Sequence, residues 1–208
     1  MEHEAAGAGH MQGILRIAHG ISRAGLWFGG ALVLVAAILI GIDVVMRKFF
    51  AASIGGADEL AGYALAIGTS WGLGAALIER AHIRIDSLYV LFAAPIRVLL
   101  DVAGLVLFVG FFALVAWHGR SVLAQSWVSG SRSQSAIETP LIVPQVIWFA
   151  GLLLFVAVGI VLLVEALRRV LAGDASGAVQ MIGTRSAQEE VEEELKATVE
   201  RLAGGRRQ

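Results

Sequence analysis

The chain has 208 residues, 57% hydrophobic and 16% charged, with a mean hydropathy of +0.76. Soluble domains average about 45–50% apolar and about 25% charged residues, and here 12 of 33 charges crowd into positions 173–208, so a one-core soluble globule is excluded. The absence of cysteine removes disulfide frameworks, Cys-ligated metals and thiol chemistry, and a net charge of −1 leaves no electrostatic footprint for nucleic acid.

Residues 13–24 place Ile14, Ile17 and Ile21 on one helical face, with Arg16, His19 and Arg23 elsewhere. That spacing predicts a helix lying in the membrane interface before it turns into a first span. Between Arg23 and Asp43 lie 19 uncharged residues, close to the roughly 20 needed to cross the hydrocarbon core. A secretory leader would be shorter and preceded by basic residues. This run is longer, and Glu2 and Glu4 precede it, so the segment is expected to be retained.

Asp58 and Glu59 open a second apolar run, and 19 uncharged residues separate Glu59 from Glu79. Residues 82–94 mix His82, Arg84 and Asp86 with Ile83, Ile85, Leu88, Tyr89 and Phe92, an interfacial rather than spanning pattern. Pro95 then opens a third helix, where its missing N–H costs nothing. Val102–Gly119 and Thr139–Val164 supply 18 and 26 uncharged residues for the third and fourth spans. After Gly173, Ser186 and Glu189 form a capping box. Val191, Leu195, Thr198 and Leu202 then make one apolar stripe opposite Glu189, Glu190, Glu192, Glu193 and Glu194. So acidic a face suits a protein partner or self-pairing, or remains a solvated helix.

The expected architecture is therefore all-α, an integral membrane four-helix bundle with interfacial amphipathic helices and a cytoplasmic C-terminal helix. It divides into a tail and interfacial helix at 1–23, a four-span domain at 24–172 and an acidic tail at 173–208. Arg16, Arg23, Arg80, Arg84, Arg97, Arg168 and Arg169 fall on one side, and Arg47, Lys48, Arg120 and Arg132 on the other. The positive-inside bias places both termini in the cytoplasm.

Ionisable groups at depth mark function in a membrane. Asp43, Asp101, His118 and Glu165 stand near the ends of the apolar runs, Asp101 with Arg97 four residues earlier. The middle of each run is uncharged, which argues against a proton relay, a haem site, a channel or an autonomous transporter. No metal or cofactor is expected. Gly25 with Gly29, and Gly68 with Gly72, carry the small-xxx-small spacing that lets helices approach closely. Trp27, Trp117, Trp127 and Trp148 suit interfacial anchoring, whereas Trp71 sits mid-span and is expected to pack against another helix.

The polar clusters come in a telling order. Arg47 follows the first span, Asp58 and Glu59 open the second, and Gly74 ends a small-residue stretch. His82 and Asp86 follow, and Pro140 and Pro144 open the fourth span. In that order and spacing, over roughly residues 14–172, the chain resembles the small membrane subunit of tripartite ATP-independent periplasmic (TRAP) transporters, the DctQ-like family. It departs from the family pattern at Gly56, where an aromatic is frequent, and at Ile142 and Val143, where a glycine often stands between the prolines.

The resemblance implies a non-catalytic scaffold beside a large membrane subunit of a sodium-coupled importer in the bacterial inner membrane. There a periplasmic binding protein delivers an organic acid. Together with the polar clusters, it makes Arg47, Asp58, Glu59, Trp71, His82, Arg84, Asp86, Pro140 and Pro144 the expected interface with the partner subunit or lipid, with Pro140 and Pro144 also setting where the fourth helix begins. The same charges also read as ordinary capping and snorkelling groups. Two other classes stay open: a membrane adaptor recruiting a soluble partner through the tail helix, and, less supported, an enzyme built on His82 and Asp86. The latter lacks an accompanying nucleophile or ligand set.

Overall fold

A computed structural model of the chain describes residues 2–79 and 92–174, together with isolated positions 177, 195 and 198. Four helices form the fold: α1 (Glu2–Phe50), α2 (Ala57–Ile78), α3 (Ala94–Ser129) and α4 (Ile142–Leu171). All four are long and apolar enough to cross a membrane. Among the described residues, the extended structure is an isolated antiparallel bridge between Arg132 and Pro140. The protein is an all-α membrane bundle.

Local chemistry accounts for the helix ends. Loop 51–56 breaks the chain with Ala51, Gly55 and Gly56 at positive φ, a region glycine enters without a Cβ penalty. Asp58 and Glu59 then occupy the first turn of α2, where the helix dipole favours negative charge. Pro95 sits in the first turn of α3, as its fixed φ predicts, and Gly130 closes that helix in the left-handed conformation.

Two expectations about extent change. The segment 13–24 is continuous with the first span, because α1 runs unbroken from Glu2 to Phe50. No Gly-Pro break or turn signal interrupts that stretch, so the backbone ladder continues through it. The third helix does not stop near Gly119 but reaches Ser129. At 1.5 Å per residue its 36 residues span about 54 Å, well beyond the roughly 30 Å hydrocarbon layer. His118 and Arg120 are consequently exposed helix residues rather than end residues. The expected interfacial segment at 82–94 lies almost wholly outside the described residues. The tail helix, with Ser186 and Glu189, also lies there.

In space the helices run α1, α2, α4, α3: α2 packs on both α1 and α4, and α3 packs on α4. Lipid tails are as apolar as leucine, so close packing rather than hydrophobic exclusion holds such helices together. At the α1–α2 crossing a Cβ added to Gly29 would stand 2.6 Å from the Gly68 carbonyl oxygen, and one on Gly25 would stand 2.9 Å from that of Trp71. The paired glycines therefore bring two backbones together. Gly72, by contrast, has only an ordinary 3.6 Å neighbour in Leu26 and does not belong to the crossing.

The α2–α3–α4 core gathers Leu77, Leu105, Val109, Phe155, Val158 and Leu162. Phe155 is fully buried and meets Phe108 and Phe112 edge to face, with centroids 5.5 and 4.7 Å away. Such pairs add about 0.5–1.5 kcal/mol each beyond burial. Exposed Leu, Val, Ile and Phe cover the outer faces of α1 and α3, as a lipid-facing surface requires.

Candidate functional site

Loops 51–56 and 130–141 meet at one end of the bundle. A Cβ on Gly56 would stand 2.6 Å from Ile137 Cδ1 and 3.3 Å from Ser135 Oγ, and one on Gly55 would stand 3.3 Å from the Ala136 Cβ. The second loop is a compact hairpin. Ser133 N–H donates to the Thr139 carbonyl (2.9 Å) and Leu141 N–H to the Ser131 carbonyl (3.0 Å). Arg132 Nη1 donates to the Glu138 carbonyl (3.2 Å). Its run of Ser residues closes the turn through hydroxyl contacts.

Asp43 organises the first loop. Its carboxylate accepts from Ser53 Oγ (2.9 Å) and Ile54 N–H (2.7 Å) and pairs with the Arg47 guanidinium one turn later. The side chain is almost fully buried, two turns inside the end of α1, not at its tip. Asp43 was not among the expected interface residues. The signal was the four-residue spacing to Arg47 on one helix.

The acidic pair splits. Asp58 is exposed and lies 3.7 Å from Arg47 Nη2. Glu59 turns inward instead, beneath the second loop, among the hydroxyls of Ser135, Tyr63, Ser133 and Thr139. Those hydroxyls crowd the carboxylate, yet none meets its Oε1 in hydrogen-bonding geometry. That atom, Thr139 Oγ1 and Gln145 Oε1 are all buried without a partner. Tyr63 and Gln145 also line a groove with Ala66, Leu141, Pro144 and Trp148, and a second groove of about 350 Å³ continues from it past Ala66 and Trp148 along α2 toward Phe112 and Leu152.

Trp71 lies inside the bundle. Its Nε1 donates to the Ile147 carbonyl of α4 at 2.9 Å, its ring meets Phe28 of α1 edge to face at 5.9 Å, and Gly151 leaves room for the indole. It ties three helices together. Trp27, Trp117 and Trp127 are exposed, as anchors should be, whereas Trp148 is half-buried in the groove.

Pro140 forms the bridge partner of Arg132, and Pro144 is buried in the first turn of α4. The structure thus brings Arg47, Asp58, Glu59 and Pro140 to one end. His82, Arg84 and Asp86 lie outside the described residues. Asp101 is fully buried and engaged, seven residues into α3. Among the described residues no three His, Cys, Asp or Glu side chains gather as a multivalent metal site would need.

Residues 36–169 match the family model of the DctQ component of tripartite ATP-independent periplasmic transporters. The chain belongs to the DctQ family. It is a component of a TRAP transporter and a multi-pass membrane protein. The matched segment begins within α1 and ends two residues before the end of α4, so it takes in both packed loops, the Asp43–Arg47–Asp58 chain and the Glu59 pocket. No curated protein and no solved structure matches the chain.

Proposed function

We propose that this DctQ component is the static, non-catalytic subunit of a sodium-coupled importer of an organic acid. In this reading it packs beside a large membrane subunit in the bacterial inner membrane and is served by a periplasmic binding protein. Family membership carries the reading. The composition of the core supports it: helix contacts are made by glycine, leucine, valine and phenylalanine, which offer no ligand to a carboxylate substrate. Arg47, Asp58 and Glu59 lie at the end with two packed loops, which faces outward if both termini are cytoplasmic, as the arginine bias has it.

Arg47, Asp58 and Glu59 then hold that end against the large subunit or headgroups, while Trp71 and Pro144 act within the subunit. Tagged chain purified in mild detergent should bring down one large polytopic protein near one-to-one, identified by mass spectrometry. A chain recovered alone would overturn the subunit reading and turn attention to the adaptor function of the tail. Glu59→Lys should reduce the recovered partner severalfold while leaving membrane insertion intact. Unchanged recovery and uptake would remove Glu59 from the interface.

A further inference from the structure

α2 and α3 both pack on α4 but scarcely on each other, and the space between them is a groove of about 350 Å³ floored by Trp148 and Leu152 of α4. Small residues open its α2 wall: a Cβ on Gly62 would meet nothing within 4 Å, and Ala66 follows one turn later. Leucine, valine and phenylalanine side chains make most of the remaining lining apolar. Thr69 and Ser70 also stand on this wall, but their hydroxyls donate to the Leu65 and Ile67 carbonyls of their own helix, at 2.7 and 2.9 Å. Toward the packed loops the groove continues to Tyr63 and Gln145, near the starts of α2 and α4, where Gln145 Oε1 is buried without a partner.

Polarity along the groove therefore runs one way, with available polar groups at the loop end and hydrocarbon below. A buried water needs roughly two to four polar partners, and the hydroxyls at depth are already spent on their own helix, so water does not suit this space. An empty groove forfeits the dispersion contacts of its lining. From Gly62 to Leu73 it runs about 16 Å at 1.5 Å per residue, close to half of the roughly 30 Å hydrocarbon layer. A helix of that length, 10–12 Å across, takes up about 1,200 Å³ or more, well beyond the space available, so a partner helix covers the groove without filling it. A flexible hydrocarbon chain with a polar head matches both its length and its polarity. We infer that the groove between α2 and α3 binds one acyl chain of a phospholipid from the leaflet at the loop end, its headgroup beside Tyr63 and Gln145. Such a lipid needs only that the chain resides in a membrane, so the site stands or falls independently of the transport reading.

The test uses the full chain purified in mild detergent, washed free of lipid and titrated with dioleoylphosphatidylcholine, with bound lipid counted by mass spectrometry of the intact complex. One lipid should bind saturably ahead of any further adduct. Gly62→Leu and Ala66→Leu place bulk in the groove at exposed positions of α2, where folding is least affected. Each should move the midpoint of the first adduct severalfold upward. Leu99→Phe, on the exposed face of α3, should leave it in place. The site is overturned by the absence of a saturable first adduct, by unmoved midpoints in both groove variants, or by an equal shift in Leu99→Phe. Reduced recovery of the large membrane partner in Ala66→Leu, with lipid binding unmoved, would assign the groove to that partner instead.

Discussion

Single atoms decide much of this protein's packing. At Gly29 the missing Cβ would stand 2.6 Å from a backbone oxygen, while at Gly30, one position on, nothing lies within 4 Å. Gly29→Val should therefore cost about 1–3 kcal/mol or more, since the obstructing carbonyl cannot rotate away, whereas Gly30→Val should leave stability unchanged. Unfolding temperatures of the two variants in detergent check the contrast. Trp71→Phe keeps the ring and loses only the Nε1 bond to Ile147, so a loss of about 0.5–1.5 kcal/mol is expected. The carboxylates divide by burial. Asp43→Ala leaves the Ile54 N–H and the Arg47 guanidinium without their shared acceptor and should lower the unfolding temperature clearly. Asp58→Asn, at a side chain 82% exposed, should not.

At the scale of elements, the paired loops form a cap whose halves come from residues about eighty positions apart. Asp43 holds the first half to α1, and the Arg132–Pro140 bridge shapes the second. Gly56 stands where they touch, with φ at 121°. Gly56→Ala meets two separate obstacles, the Ile137 side chain and a backbone conformation unfavourable to any residue with a Cβ. Adding Ile137→Ala should remove the first and not the second, so the double variant should recover only part of the lost stability. Recovery to the parent value would mean that side-chain crowding, not backbone conformation, sets the requirement for glycine. The order α1, α2, α4, α3 leaves the middle pair most enclosed, and α2 and α4 carry the larger buried shares of the four spans.

For the molecule as a whole, leucine, valine and phenylalanine fill the helix core, with Asp101, Ser22 and Ser70 buried between the helices. The core joins helices by close backbone approach and ring contacts, which resist relative motion because close-packed interiors have low compressibility. A subunit built this way suits a stationary role beside a moving partner. Removing residues 186–208 should leave uptake intact if the chain serves the transporter through its spans. Lost recruitment of a soluble protein with uptake preserved would favour the adaptor reading instead. Growth on the transported acid, measured together with recovered partners, separates these outcomes.

The number and order of the spans were legible in the sequence, because crossing hydrocarbon demands about twenty uncharged residues in a row and nothing downstream can relax that demand. Gly25, Gly29 and Gly68 also announced close approach, though Gly72 did not take part in it, and the mid-span position of Trp71 announced a helix contact, since both follow from spacing along one helix. Tertiary structure decided which groups meet across loops. Asp58 and Glu59 are adjacent in sequence and alike in charge, yet one reaches Arg47 and the other enters a hydroxyl pocket. That separation depends on a hairpin some seventy residues later folding over the start of α2, and no local pattern encodes a partner at that distance. The same holds for Asp43: its spacing to Arg47 was visible, but its burial required the loop that closes over it. Helix extent was decided by continuity of the backbone ladder, which apolar counting alone does not report, so α1 and α3 run past the ends that hydropathy marked.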